Sequence, residues 1–190
     1  EISIKVYNGI ENVCVGQDSH SVTDQTQGNW NGIIGKMELQ AHQQQYIRNL
    51  QVYPDVKGKL IKVVMDVTGD ARKADFQFDV SGVKHSFSKI KRESDGKFSV
   101  IIPMGDDIRL WDEFHPNLYT LTATLGKESF STTFGMSEIS IEGRQFYMNG
   151  KKIWMRGTVG NCCFPETGYP PTDEASWLRI FRKCKEYGLN

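Results

Sequence analysis

Apolar and polar residues alternate in short segments along the middle of the chain, from about Tyr46 to Phe134. In segment 59–69, for example, the apolar residues share one face, at Ile61, Val63, Met65 and Val67. A period of two is the pattern of a β-strand with one buried face. We therefore predict seven short strands with turn residues between them, at 46–54, 59–69, 74–80, 83–91, 97–103, 117–125 and 128–134. The more polar segment 83–91 is the candidate for an edge strand.

Seven short strands in close succession predict a mainly β fold, an immunoglobulin-like β-sandwich. The core of this sandwich would be apolar only, because no cysteine lies between positions 46 and 134 to bridge the sheets. Tyr119, near the start of the sixth strand, leaves two alternatives open. Its hydroxyl hydrogen-bonds back to the backbone as a tyrosine corner, or it is a plain core tyrosine.

The N-terminal part of the chain has its own strand pattern. Residues 1–8 alternate as EISIKVYN, and a second strand is predicted at 35–41, with a long polar stretch between them. Two strands joined by a long loop cannot cover both faces of a sheet. We therefore expect the closing strands of another β domain here.

The C-terminal part changes to a different pattern. Asn149-Gly150 between RQFYM and KKIWM predicts a hairpin with a type I′ turn, because these residues tolerate positive φ angles. After loop 158–171, Thr172 or Asp173 is the predicted N-cap of a helix that ends at Gly188. Its apolar residues follow helical spacing, at Trp177, Ile180, Phe181 and Cys184. This is one strand-loop-helix unit, and since a full (β/α)₈ barrel takes about 250 residues, we expect a chain cut from a longer one.

Composition and charge exclude several classes of protein. The 190 residues include 23 Lys and Arg and 23 Asp and Glu, so no basic surplus favours nucleic acid. No apolar run approaches the roughly 18 residues of a membrane span, so no membrane partner is expected. The four cysteines, at 14, 162, 163 and 184, lack the spacing of a zinc site, and we predict reduced thiols, no metal and no cofactor. The first residues lack the pattern of a signal peptide, and the sequence assigns no compartment.

Three stretches carry a resemblance to a known family: GNWNGIIGKMEL (28–39), LWDEFHPNLYTLTATL (110–125), and FYMNGKKIWMRG (146–157) with FPETGYPPTDEASWLRIFRKCKEYGLN (164–190). They resemble the late jelly roll, the immunoglobulin-like domain and the barrel opening of glycoside hydrolase family 2. This family contains β-galactosidases, β-mannosidases and β-glucuronidases. The resemblance implies the C-terminal part of a jelly roll at 1–42, the sandwich at 43–136, and the start of the catalytic barrel at 137–190.

The resemblance also implies a role. Family members are retaining glycosidases with two catalytic glutamates on later barrel strands, which would lie beyond Asn190. We therefore expect a non-catalytic middle portion of a β-glycosidase, with the sandwich as a spacer that supports the barrel. The substrate of the intact parent would be a carbohydrate, and a periplasmic or extracellular parent would fit.

Candidate substrate-binding residues lie in the first barrel loop, because barrel sites form at the C-terminal ends of the strands. Many family members carry His-Glu after Arg-Gly, whereas Asn161 and Cys162 stand at these positions. This departure argues against a galactosidase-like metal site. Asn161, Glu166 and Tyr169 could hydrogen-bond a sugar, or each could satisfy its own loop.

An alternative of a different class is a carbohydrate-binding or adhesive module with its own ligand surface. It predicts a row of exposed aromatic side chains on one sheet face. A further expectation concerns the apolar stripe of the helix, which another surface must cover. Either the N-terminal strands or a neighbouring chain would cover it, and of the two we expect a contact between chains through Trp177 and Phe181.

Overall fold

The structure is a computed structural model that describes residues 2–7, 33, 35–69, 75–84, 87–160, 164 and 166–190. The chain divides into two compact units. One is Gln40–Trp154, and the other combines Glu1–Leu39 with Met155–Asn190. Within the described residues, no helix has both the length and the apolar character needed to cross a bilayer.

Seven antiparallel strands form a β-sandwich in the unit Gln40–Trp154. They are β1 (Ile47–Asp55), β2 (Leu60–Val67), β3 (Phe76–Val80), β4 (Lys91–Arg92), β5 (Phe98–Pro103), β6 (Tyr119–Leu125) and β7 (Glu128–Phe134). One sheet has the order β1-β2-β5-β4 and the other β3-β6-β7. This division of strands is that of an immunoglobulin constant-type sandwich. The prediction of a mainly β, sandwich-like fold is confirmed.

The core lies between the two sheets and follows the alternation of the sequence. Ile61, Val63 and Met65 of β2 are fully buried, as are Leu121 and Ala123 of β6. Phe76 of β3 contacts Phe98 of β5 across the sandwich, with ring centroids 5.6 Å apart. Burial of such side chains from both sheets is the main stabilising contribution to this fold.

Tyr119 forms a tyrosine corner. Its side chain is buried and its ring stacks on Phe134, with centroids 5.7 Å apart. Its hydroxyl accepts a hydrogen bond from the backbone N–H of Arg109 at 2.8 Å. The hydroxyl therefore ties the loop before β6 to the sandwich, which resolves the two alternatives in favour of the corner.

A third sheet follows the sandwich in the same unit, and we call it the three-stranded sheet. It consists of β8 (Ile139–Glu142), β9 (Gln145–Met148) and β10 (Lys151–Ile153), in the order β10-β9-β8. Asn149 and Gly150, with φ of 52° and 75°, form the predicted type I′ turn between β9 and β10. The hairpin prediction is confirmed, but β8 was not predicted.

Two strand predictions are wrong. In the segments 1–8 and 35–41, described residues 2–7 and 35–41 form no strand and are exposed. Alternation alone does not make a strand, because its backbone groups need a partner and its apolar face needs cover. In segment 83–91, the described residues 83–84 and 87–90 form no strand, and the two-residue strand β4 begins only at Lys91. The expected jelly-roll and barrel domains remain predictions.

One helix, α1 (Glu174–Glu186), lies in the other unit. The Asp173 carboxylate accepts the Ser176 N–H at 2.8 Å, so Asp173 is the N-cap. Gly188, at φ 79°, follows the C-cap Tyr187. Both predicted helix ends are confirmed.

Candidate functional site

The candidate site is a cleft of about 300 Å³ between loop 164–173 and the first turns of α1. Its lining includes two acidic side chains, one phenolic and one cationic side chain, among apolar and hydroxyl-bearing residues. The lining residues are Phe164, Glu166, Thr167, Tyr169, Pro171, Thr172, Asp173, Ser176, Arg179 and Ile180. Two of the three predicted binding residues, Glu166 and Tyr169, thus lie in one cleft, and Asn161 lies outside the described residues.

Local hydrogen bonds give the loop its shape. The Phe164 carbonyl accepts the N–H groups of Thr167 and Gly168, at 3.2 and 2.7 Å. Phe164 has a φ of 42°, an uncommon conformation for an aromatic residue. The Thr167 hydroxyl donates to the Tyr169 carbonyl at 2.6 Å. The loop is therefore turned on itself, with Glu166 and Tyr169 on its cleft side.

Aromatic contacts fasten the same loop to α1. The Trp177 indole N–H donates to the Pro171 carbonyl at 2.7 Å, and its ring meets Phe164 edge-on at 6.2 Å. Trp177 also stacks on Phe181, with centroids 5.7 Å apart. Trp177 is half-buried, whereas Phe181 is 58% exposed. The expected contact of these two residues with another chain stays a prediction.

Two charged side chains of the cleft, Asp173 and Arg179, lie at the start of α1. The Ser176 backbone N–H and hydroxyl, assisted by the positive charge of Arg179, hold the pKa of Asp173 below its usual value. Asp173 is therefore negatively charged, and its carboxylate caps the helix. Glu166, the other carboxylate of the cleft, is not part of the helix cap.

Sequence reasoning missed Arg179. The signal was available, because Ser176, Arg179 and Ile180 have the i, i+3, i+4 spacing of one helix face. This face begins at the predicted N-cap, Asp173, and lies on the side of α1 that lines the cleft with the loop. A carboxylate, a phenol and a guanidinium together can donate to and accept from the hydroxyl groups of a polar ligand.

Arg156 joins the two ends of the strand-loop-helix segment. Its backbone N–H donates to the Asn190 Oδ1 at 2.7 Å, and its carbonyl accepts the Asn190 N–H at 3.0 Å. Its Nε donates to the Gly188 carbonyl at 2.6 Å. The residue before the loop therefore lies beside the residues that follow the helix.

Two acidic side chains outside the cleft, Asp112 and Asp106, have structural partners. The Asp112 carboxylate accepts the backbone N–H groups of Phe114 and His115, which lowers the pKa of Asp112. Asp106 pairs with Lys59 at 2.7 Å. In the described part of the chain, no three His, Cys, Asp or Glu side chains come together as a metal site.

These elements define an immunoglobulin-like sandwich followed by a strand-loop-helix segment with a polar cleft. Residues 45–136, which include the sandwich, match the family model of glycosyl hydrolases family 2. Over that segment, slightly less than half of its length, the chain is similar to members of this family. The sandwich with the family match confirms the resemblance found in the sequence.

Two curated relatives are β-galactosidases. That of Staphylococcus xylosus is 41% identical over 64 residues, and that of Thermoanaerobacterium thermosulfurigenes is 36% identical over 67 residues. The alignments cover 34% and 33% of this chain but 6% and 9% of the relatives' lengths. The chain thus spans a small part of each relative.

A solved structure has a similar fold. The β-glucuronidase of an uncultured Clostridium sp. aligns with a TM-score of 0.53 and 21% identity. The alignment covers 77% of this chain and 25% of that chain. This similarity concerns the fold alone.

Proposed function

We propose that this chain is the middle portion of a retaining β-glycosidase of family 2, which hydrolyses O-glycosidic bonds of carbohydrates. The observation that carries the proposal is the family match over 45–136, together with two curated relatives named β-galactosidase. The sandwich serves as a spacer and support. Its described strands bury their apolar faces against each other in one core.

The segment 137–190 is proposed as the opening of the catalytic barrel. The Arg156 and Asn190 hydrogen bonds support this part of the proposal, because consecutive parallel strands of a barrel flank the helix that connects them. The residues 1–42 are proposed as the end of a preceding jelly-roll domain.

The chain by itself is proposed to be inactive. Retaining hydrolysis needs two carboxyl groups about 5–5.5 Å apart, on either side of the scissile bond. Asp112 and Asp173 are engaged in a turn and a helix cap, and Asp106 in an ion pair. The purified chain, incubated with aryl β-galactosides and aryl β-glucuronides, is expected to release no aryl alcohol above the buffer blank. Turnover that persists through repurification would contradict this part of the proposal.

Glu166 and Tyr169, with Asn161 in the same loop, are proposed to contact the sugar, and Arg179 joins them. A titration of the chain with galactose and with glucuronic acid, followed by NMR, is expected to shift signals of residues 164–179. Tyr169→Phe should reduce these shifts. Tyr53→Phe is the matched control, because Tyr53 and Tyr169 are 52% and 50% exposed. Equal effects of the two substitutions, or shifts confined to the sandwich, would refute the assignment.

The alternative of an independent carbohydrate-binding module lacks its expected surface. Phe76 and Phe78 are buried in the core. Among the described residues of strands β1 to β7, Tyr53 is the exposed aromatic side chain, and one residue does not form a row. Sugar binding by the sandwich strands in the same titration would favour the module.

A further inference from the structure

The dipeptide Asn149-Gly150 forms the turn between β9 and β10, and the Asn149 side chain contacts two other segments of the unit Gln40–Trp154. The Asn149 Oδ1 accepts the Glu138 backbone N–H, and its Nδ2 donates to the Trp111 carbonyl, both at 2.9 Å. We call these two side-chain hydrogen bonds the Asn149 bridge. The Asn149 backbone N–H also donates to the Glu138 carbonyl at 2.9 Å.

The bridge joins three separate segments. Trp111 lies in the loop before β6, and its backbone N–H donates to the Met136 carbonyl at 2.9 Å. Its side chain packs against Gly135, where an added Cβ would lie 2.7 Å from the Trp111 Cβ. Glu138 belongs to the connection between β7 and β8. One side-chain amide therefore holds the three-stranded sheet to the sandwich loop and to the connection between them.

The same dipeptide has a characteristic chemistry. In an Asn-Gly sequence the Gly150 nitrogen can attack the Asn149 Cγ, because glycine has no Cβ to hinder the approach. The new Cγ–N bond forms as the Cγ–Nδ2 bond breaks, and Nδ2 leaves as ammonia with the proton of the Gly150 N–H. Water then opens the resulting cyclic imide at either carbonyl, which yields aspartate or isoaspartate.

We propose that Asn149-Gly150 is a latent deamidation site that the Asn149 bridge protects in the folded chain, and that its conversion irreversibly loosens the three-stranded sheet from the sandwich. The attack requires the Asn149 Cγ to move onto the Gly150 nitrogen. Both hydrogen bonds of the bridge hold the amide elsewhere, so they must open first.

The product cannot rebuild the bridge. An aspartate at 149 can still accept the Glu138 N–H, but it has no N–H for the Trp111 carbonyl and would place a carboxylate oxygen against it. An isoaspartate adds a carbon to the backbone of a two-residue turn. This change disturbs the pairing of Lys151 with Met148 that the turn sets.

The protection is tested by peptide mapping with mass spectrometry after incubation at mildly alkaline pH, for the folded chain and for the chain unfolded in urea. Because two hydrogen bonds must open before the attack, we expect deamidation at Asn149 to be on the order of tenfold or more slower in the folded chain. Asn8-Gly9 and Asn31-Gly32 lie outside the described residues and are read from separate peptides. Equal rates at Asn149 in the folded and unfolded chains would overturn the proposal.

The role of the bridge is tested by Gly135→Ala, which leaves the reacting dipeptide unchanged but displaces Trp111. Gly157→Ala is the matched control, because an added Cβ there meets nothing within 4 Å. Gly135→Ala should raise the folded-state rate at Asn149 several-fold, and Gly157→Ala should not. Rates that are the same in both variants and the wild type would refute the bridge as the protecting element.

The consequence is tested with Asn149→Asp, by hydrogen exchange of the amides of 139–153. We expect faster exchange there and unchanged exchange in β2 and β6. If Gly135→Ala does not fold, this variant and the comparison of folded with unfolded wild type decide the proposal. Wild-type exchange in Asn149→Asp would overturn the proposed loosening.

Discussion

Removal of the Tyr119 hydroxyl tests whether the tyrosine corner contributes to stability or only accompanies the fold. Tyr119→Phe keeps the buried ring and its stacking on Phe134 but removes the acceptor of the Arg109 backbone N–H. No cavity forms, so the change isolates one hydrogen bond.

The expected magnitude follows from the surroundings of that bond. A typical hydrogen bond contributes about 0.5–1.5 kcal/mol net, and an N–H left buried without a partner costs about 1–3 kcal/mol. The bond to Arg109 is part-buried, so water can partly replace the hydroxyl. We therefore expect Tyr119→Phe to lower the free energy of unfolding by about 1.5 kcal/mol.

Urea denaturation of the wild type and the variant measures this difference. With an m value of about 2 kcal/mol per molar urea, the midpoint should fall by about 0.75 M while m stays the same. Tyr53→Phe is the matched control, because its hydroxyl is exposed and donates to the nearby Gln51 side chain. A Tyr119→Phe midpoint within error of that control would refute the corner as a stabilising contact.

Two other predictions concern the core and the helix cap. Leu121→Ala removes a fully buried side chain of β6 and should cost about 2–5 kcal/mol in urea denaturation, whereas Thr120→Ala on the exposed face should stay within about 0.5 kcal/mol; similar losses would contradict the assignment of the two faces. Asp173→Ala removes the N-cap of α1 and should destabilise the helix, seen as faster hydrogen exchange in α1, with the exposed Asp107→Ala as the control. Folding lowers the pKa of Asp173. The stabilising contribution of its carboxylate is therefore present above the unfolded pKa of about 3.9 and is lost as the pH falls through the lower folded pKa. Protection of the α1 amides that stays the same between about pH 5 and about pH 2, relative to the intrinsic exchange rate at each pH, would contradict the capping role.

The sandwich was predictable because its strands bury one face, and burial imposes a period of two on the sequence. β2 and β6 carry this pattern most clearly, and both are found close to their predicted positions. The ends of α1 were predictable for a different reason. Asp173 and Gly188 act through local backbone chemistry, which needs no knowledge of the rest of the fold.

The N-terminal strands failed because a strand is a property of a pair. Residues 2–7 also alternate, but β2 pairs with β1 and β5, whereas residues 2–7 are not part of a strand. The candidate site was predicted in part for a similar reason. Glu166 and Tyr169 follow from the resemblance, whereas Arg179 reaches the cleft only because the loop folds back onto α1.

Strand β8 was not predicted because its alternation, ISIE, spans only four residues, although its side chains also reverse the usual relation between polarity and burial. Ile139 and Ile141 are 61% and 65% exposed, whereas Ser140 between them is half-buried. By register, Ile141 lies beside Phe146 of β9, which is also exposed, so these apolar residues share the outward face of the three-stranded sheet. Exposed apolar residues in register across paired strands indicate a face that contacts another surface.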